Sequence, residues 1–323
     1  MKILDEHATA AALPWPALIS ALQATIDDSN AGMAGSPPRM SVPLADDAVW
    51  LLMPAWSRRA DIAACKLITV HAGNRQRGLP TIQGDILVIR ASTGERLALL
   101  DGPTVTARRT AAVSALAIRL IRAARAAGRE EARSAHAAPT GDAAHASCLI
   151  IGCGVQGLSH LEAIAAILPG SRFFLSSRSP ASAHRLAAHA AACGIAATAV
   201  GDPQAVLGSV DIVVTSTDAT EVCLHAPPAD GAIIAAIGSF RPDMSELAPQ
   251  VIQAIGRNIL LDSADAGHEA GELIQAGIDT RDLPDLFTWR SRPLPDVRRT
   301  VLFKSCGNAL WDLSAALAAT AAG

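Results

Sequence analysis

Tyrosine is absent from this chain, and all aromatic residues together make up only 3% of its 323 positions. Alanine supplies much of the difference, a composition that favours close-packed helices and says little about function. Although half of the residues are apolar, no apolar run approaches the ~18 residues of a membrane span. Net charge is −3 with no block of basic residues, so nothing invites nucleic acid or an anionic membrane surface. The opening Met1-Lys2-Ile3-Leu4-Asp5-Glu6-His7 turns acidic where the apolar core of a signal peptide should start, and none is expected. The six cysteines (Cys65, Cys148, Cys153, Cys193, Cys223 and Cys306) include no C-x-x-C pair. Reduced thiols in a cytoplasm are expected from this, not a disulfide or zinc framework. The nine histidines are dispersed without ligand spacing, and no metal is expected.

What is present is organised around one turn. Ser147-Cys148-Leu149-Ile150-Ile151 reads as a buried parallel strand. Gly152, Gly154 and Gly157 follow with the full G-x-G-x-x-G spacing, and Leu158, Leu161, Ile164 and Leu168 then recur on one helical face. The first glycine permits the tight turn, the second lets a pyrophosphate approach the backbone, and the third lets helix and strand pack closely. Backbone N–H groups at such a helix start favour phosphate. Arg172-Phe173-Phe174-Leu175-Ser176 predicts the second strand. At its tip, where an NAD enzyme carries Asp or Glu for the ribose hydroxyls, stand Ser177, Arg178 and Ser179. Small hydroxyls around an arginine suit a 2′-phosphate, so NADP(H) is expected in preference to NAD(H).

The length leaves room for two domains. Residues 14–30 predict an amphipathic helix opened by Pro14 and Pro16. A loop through Gly35 to Arg39 follows, then strands at 50–53 and 62–70, and a hairpin of 84–89 with 96–100 around Ser92-Thr93-Gly94. An antiparallel sheet with helices thus precedes the nucleotide domain. The latter continues with a helix at 180–192 and strands at 195–200, 211–215, 233–238 and 258–262. Ser216-Thr217-Asp218-Ala219-Thr220 leaves the fourth strand's carboxyl end, where open α/β sheets bind ligands. Residues 128–147 read as a polar helix end and linker, and Arg119, Arg122 and Arg125 as a solvated helix face. Lys66 lies in a strand otherwise fit for burial, where an unpaired ammonium is costly. Arg39 follows two prolines, and Arg109 lies in a run of hydroxyls and small residues. Each cation alone reads first as a salt-bridge partner or a snorkelling surface residue; converged, the three would form a fork for a substrate carboxylate.

At these stretches the chain resembles the ornithine cyclodeaminase/mu-crystallin family. The likeness is carried by Pro38-Arg39, Cys65-Lys66-Leu67, Leu99-Leu100-Asp101-Gly102 and, most specifically, Thr106-Ala107-Arg108-Arg109-Thr110-Ala111-Ala112-Val113-Ser114-Ala115. Gly152-x-Gly154-x-Gln156, Ala235-Ala236-Ile237-Gly238, Arg241-Pro242-Asp243-x-x-Glu246-Leu247 and Phe303-Lys304-Ser305-x-Gly307 complete it, in order along nearly the whole chain. The resemblance implies an α/β protein in which a Rossmann dinucleotide-binding domain (128–299) is inserted into an α+β substrate and dimerisation domain (1–127 with 300–323). It implies a homodimer, and that Arg39, Lys66 and Arg109 bind the carboxylate of a small imino or amino acid as the catalytic cluster. It also implies cofactor contacts from Thr81, Thr110, Gly152, Gly154, Val155, Gln156, Gly157, Ser177, Arg178, Ser179, Ser216, Thr217, Ile237, Gly238, Lys304 and Ser305.

Cyclodeaminases resembling this chain carry Gly-x-Asp after the fifth strand, and that Asp serves acid–base chemistry on the amine. Here the position is Phe240, which cannot exchange a proton. Asp243, further along the loop, reads as a helix N-cap. The expectation is an NADPH-dependent ketimine reductase, taking Δ1-pyrroline-2-carboxylate or Δ1-piperideine-2-carboxylate to L-proline or L-pipecolate. Lys66 and solvent are both candidates for the imine proton. Ornithine cyclodeaminase or alanine dehydrogenase activity, a reductase joining an amino acid to a keto acid, and a non-catalytic NADPH and ligand carrier are the alternatives.

Overall fold

Buried positions alternate from Ile62 to Ile68 but run unbroken through Ser147–Ile151. These two patterns separate a sheet covered on one face from a parallel sheet covered on both. The computed structural model describes residues 1–45, 48–133, 145–218, 221–289, 291–292 and 295–321. The first half comprises β1 (Lys2–Leu4), α1 (Glu6–Ala11), α2 (Trp15–Asn30), β2 (Ala34–Gly35), β3 (Met40–Ala45), β4 (Ala48–Ser57), β5 (Ile62–His71), β6 (Ile82–Arg90), β7 (Arg96–Asp101) and α3 (Gly102–Arg133). There follow β8 (Ser147–Ile151), α4 (Val155–Ile167), β9 (Arg172–Ser176), α5 (Pro180–Ala192), β10 (Ala196–Ala199), β11 (Ile212–Thr215) and β12 (Ile233–Ala236). The chain ends with α6 (Pro249–Ile255), β13 (Ile259–Leu261), α7 (Gly271–Gln275), β14 (Val301–Lys304) and α8 (Ala309–Ala321). It divides into two compact units, Met1–Val113 with Gly307–Gly323, and Ser114–Cys306.

In the first unit the strand order is β1-β7-β6-β5-β4-β2, with β3 also on β4. The pairs are antiparallel except β1 with β7, which is parallel and was not anticipated. Register aligns Met53, Lys66, Ile86 and Leu100 in one row across four strands, all buried. Helix α8 packs on β4 and β5, and α2 on α8. Alanines in α8 allow that close approach, and Ser314 Oγ donates to Thr25 Oγ1 at 2.8 Å. The other face pairs Met40 with Leu52 and Val42 with Trp50, leaving Met40, Leu44 and Trp50 exposed. Asp101 caps α3 by accepting from Thr104 N at 2.8 Å.

In the second unit all seven strands are parallel, in the order β10-β9-β8-β11-β12-β14-β13. The order reverses between β8 and β11, the position at which such sheets open a crevice for ligands. Val301–Lys304, assigned from sequence to the first unit, is instead the strand inserted between β12 and β13. Four apolar-to-amphipathic residues give no local sign of which sheet they join; their fully buried pattern requires a place inside a two-faced sheet. The boundary expected near 127 falls within α3, whose residues from Ser114 belong to the second unit. Arg125 is not a solvated cation: it donates to the carbonyls of Val297 and Arg299. The expected linker is helical to Arg133; Pro139, Thr140, Gly141 and Asp142 lie outside the described residues, as do Ala219 and Thr220. No helix among the described residues is long and apolar enough to cross a membrane. All six cysteines are free thiols.

Candidate active site

The cationic cluster lies wholly in the first unit. Strand alternation turns Lys66 inward with Ile62, Ala64 and Ile68, so its ammonium is buried at 1% exposure. Its Nζ meets Asp312 Oδ2 at 2.8 Å, and Arg109 Nε meets Asp312 Oδ1 at 3.1 Å. Arg39 Nη2 donates to the carbonyl of Gly307 at 2.7 Å. Gly307 has φ +91°, and a Cβ there would sit 3.0 Å from Arg109 Nη1. Positive φ and the guanidinium both demand glycine. Thus Lys66 and Arg109 come together on a carboxylate that sequence reading passed over, with Arg39 held nearby through Gly307. Burial pushes the Lys66 ammonium down to about 8; Asp312 pulls it up, and Arg109 and Arg39 push it down. The signal for Asp312 was available, as it is the single charged residue of α8. A lone charge in an apolar helix is seldom buried unless paired.

The glycine turn lies in the second unit. Gly152 has φ +104°, and a Cβ on it would come within 2.5 Å of Ser216 O; a Cβ on Gly157 would come within 2.1 Å of Gly152 O. At Gly154 nothing lies within 4 Å, which leaves the space a phosphate needs. Gly154 is the N-cap of α4 without a side-chain cap, and Val155 behind it is exposed. Gln156 Oε1 is buried without a hydrogen bond. The open backbone and uncapped N–H groups therefore fit a pyrophosphate. Gly152 N donates to Ser176 O at 2.9 Å. Ser177, Arg178 and Ser179 accordingly leave β9 beside the glycine turn, with Arg178 exposed. Ser216 Oγ donates to Gly152 O at 3.0 Å.

Six further expected cofactor residues are engaged inside the protein. Thr217 donates from N and Oγ1 to Glu246 Oε1 at 2.6 and 2.7 Å, and Gly238 N donates to Glu246 Oε2 at 2.7 Å. Thr215 Oγ1 adds a fourth bond at 2.9 Å. Glu246, noticed in sequence only as part of a motif, thus ties the ends of β11 and β12 together. Burial raises its pKa, with Lys304 and the threonine donors opposing. Lys304, fully buried, meets Glu272 at 3.0 Å and donates to Ser239 O, while Ser305 Oγ donates to Asp262 at 2.8 Å. The side chains of Lys304 and Ser305 thus point into the unit's interior, because a buried ammonium and hydroxyl need partners there. Ile237, 8% exposed, donates from its backbone to Thr215 O. Thr81 and Thr110 belong to the first unit, where Thr110 Oγ1 donates to Thr106 O at 2.7 Å.

Phe240 is 45% exposed on the loop after Gly238. Asp243 is not a helix N-cap, since the next helix, α6, begins only at Pro249 and is capped by Ala248. It is exposed and paired with Arg241 through two 3.0 Å bonds, which hold its carboxyl below the usual range. Among the described residues, no group of three or more His, Cys, Asp or Glu could hold a metal ion.

The ornithine cyclodeaminase/mu-crystallin family model matches residues 3–319. The chain is 38% identical to the Δ1-pyrroline-2-carboxylate/Δ1-piperideine-2-carboxylate reductase of Azospirillum brasilense, over 100% of this chain and 98% of that protein. It is 37% identical to Δ1-pyrroline-2-carboxylate reductase 2 of Burkholderia ambifaria, over 96% of this chain and 92% of that one. The solved structure of Thermococcus litoralis Δ1-pyrroline-2-carboxylate reductase, in complex with NADH and L-proline, matches with TM-score 0.82 and 22% identity, over 99% and 97% of the two chains. At that identity the likeness is one of fold. The chain belongs to the ornithine cyclodeaminase/mu-crystallin family.

Proposed function

We propose that this protein is an NADPH-dependent reductase of cyclic ketimine carboxylates, converting Δ1-pyrroline-2-carboxylate or Δ1-piperideine-2-carboxylate to L-proline or L-pipecolate. The observation that carries the reading is the cluster of Arg39, Lys66 and Arg109, in which one buried carboxylate, Asp312, holds Lys66 and Arg109 while Arg39 stands near enough to Lys66 to depress its ammonium. The excess positive charge suits a substrate carboxylate. The named activities of the full-length relatives add the substrate class.

In this reading the second unit holds the dinucleotide. The glycine turn takes the pyrophosphate, Arg178 with Ser177 and Ser179 takes the 2′-phosphate, and Glu246 holds the Thr217 and Gly238 backbones in place. Bound there, the nicotinamide supplies a hydride. The first unit holds the carboxylate, so that the C=N carbon attached to it is fixed for attack, and the nitrogen takes up one proton. A protonated imine is already a good hydride acceptor, so positioning is the main requirement. Phe240 at the cyclodeaminase acid–base position and the external Arg241–Asp243 pair support reduction over cyclodeamination.

The exposed Met40, Leu44 and Trp50 on the outer face of the first sheet support a homodimer through that face. Free thiols throughout are consistent with work in a cytoplasm. The test is oxidation of NADPH by the full chain with each cyclic imine, alongside keto acids with ammonia, and ornithine with oxidised cofactor. Turnover of a cyclic imine carboxylate is expected. Turnover of ornithine or of an acyclic keto acid alone would replace the reading, and binding of NADPH without any turnover would make the protein a carrier. Light scattering is expected to find two chains per particle; a 33.2 kDa species alone at micromolar concentration would remove the dimer.

A further inference from the structure

On the reading that the cationic cluster receives a carboxylate, we propose that Asp312 is its positioning residue, holding Arg109 by Nε and Lys66 by Nζ so that both cations are fixed in place for the substrate. A carboxylate inside an anion site lowers its long-range attraction for anions, so its presence needs a reason. Without it, three cations would share a site where Lys66 is 1% exposed and Arg109 6% exposed. Charges so buried need a partner even when no ligand is bound. Asp312 is that partner, and it is itself 1% exposed. With one negative charge against the two cations it holds, it leaves an excess that an incoming carboxylate can meet.

The geometry is selective. Each oxygen of Asp312 engages one cation, Oδ1 the Arg109 Nε and Oδ2 the Lys66 Nζ. A guanidinium has five N–H donors, and with Nε engaged those on Nη1 and Nη2 remain for a ligand. Nη1 and Nη2 of Arg109 lie against Gly307, where a Cβ would come within 3.0 and 3.1 Å of them, so a side chain at that position would crowd these donors. Asp312 likewise engages the Lys66 ammonium, which has three donors and so keeps others for a ligand. The carboxylate also keeps Lys66 charged. The charged groups around that ammonium are Asp312 on α8, Arg109 on α3 and Arg39 on the loop before β3, and Asp312 is the only one of them that raises its pKa.

The test is Asp312→Asn in the full chain, with three readouts: kcat and KM for Δ1-pyrroline-2-carboxylate, the pH profile of KM, and the Kd of pyrrole-2-carboxylate, a planar analogue that cannot be reduced in this way. KM and Kd are expected to rise about tenfold or more, with kcat changed about threefold or less. The pH at which wild-type affinity falls on the alkaline side is expected to move lower by about a unit, since Lys66 loses its only stabilising anion. Asp312→Glu should restore that pH while leaving KM raised, because the charge returns with the carboxylate displaced. A loss of folding alone would leave the pH limb of surviving enzyme unmoved. Unchanged KM, Kd and pH limb in Asp312→Asn would overturn the proposal while leaving the reductase reading intact. Should Asp312→Asn fail to fold, Asp312→Glu decides: an unchanged KM and Kd overturns it. If wild type binds pyrrole-2-carboxylate but reduces no cyclic imine, the reductase reading fails and Asp312 is still judged on Kd. If wild type neither binds it nor reduces a cyclic imine, both fail.

Discussion

Two lysines are fully buried in this protein, one on each sheet, and they have opposite surroundings. Lys66 on β5 has one carboxylate, Asp312, against the two guanidinium groups of Arg39 and Arg109. Lys304 on β14 has Glu272 in contact and Glu246 nearby. Burial lowers both ammonium pKa values. For Lys304, Glu272, Cys306 and Glu246 outweigh it and hold the group above its ordinary value, whereas Lys66 falls to about 8. A lysine among excess anions is locked into the fold. One among excess cations is held at a structural cost and is suited to receive an anion. The residue type is the same; the sign of the surrounding charge separates an internal tie from a binding group.

The sharpest way to break this comparison is to remove each charge in turn. Lys304→Met leaves Glu272 and Glu246 buried without their cation, and a loss of about 3–5 kcal/mol in unfolding free energy is expected by urea titration. Lys66→Met leaves Asp312 still paired with Arg109, so the fold should survive while kcat/KM collapses. Equal stability losses in the two variants would dissolve the distinction. A second arm follows stability with pH. The folded pKa of Lys66, about 8, lies below the roughly 10.4 of an unfolded lysine. The unfolded state therefore binds more protons in that window, and this group's contribution to stability is lost as pH falls through 8 and fully present above about 10.4. The wild-type minus Lys66→Met difference in Tm should thus rise with pH between those values, while substrate affinity falls as the ammonium discharges.

Glu246 extends the comparison within the second unit. Glu246→Gln replaces one acceptor oxygen by an amide NH2 facing donors, so two of four bonds are lost, and a destabilisation of about 2–4 kcal/mol is expected from thermal or urea unfolding. NADPH affinity should fall with it, as the Thr217 and Gly238 backbones loosen. Affinity unchanged at reduced stability would confine Glu246 to the core.

In the cationic cluster, Arg109→Lys keeps charge but loses the planar fork. A kcat/KM loss of about 2–3 kcal/mol is expected, a factor of roughly 30–150, with NADPH affinity preserved. An imine lacking the carboxylate should be a poor substrate for wild type and little worse for the variant. If both enzymes reduced it as well as the acid, the cluster would not be the carboxylate site. The smallest effect concerns Arg178, which is exposed and screened by solvent. Arg178→Asp should shift preference from NADPH toward NADH by about tenfold, or about 1.4 kcal/mol, in the ratio of kcat/KM values. An unchanged ratio would remove Arg178 from the 2′-phosphate.

Much of both sheets could be read locally. The G-x-G-x-x-G turn, helix α5 and the β6–β7 hairpin each declare themselves within a dozen residues, because turn chemistry and periodicity are short-range properties. Arg39, Lys66 and Arg109 stood out as cations in apolar or stiffened settings. Asp243 misled for the same reason: a proline-led loop with an acid looks like a helix start, yet the acid pairs with Arg241 two residues back.

The amino-acid sequence by itself determined the dinucleotide turn, the alternation that buries Lys66, the presence of three candidate cations and the phenylalanine at position 240. Tertiary structure alone decided that β14 enters the middle of the second sheet, that Asp312 holds two of the cations, and that Lys304 is enclosed by carboxylates. The physical reason is range. Backbone dihedrals, hydrogen-bonded turns and periodic burial depend on near neighbours, whereas the charge around a buried ammonium is summed over residues more than 200 positions apart, as Arg109 and Asp312 are.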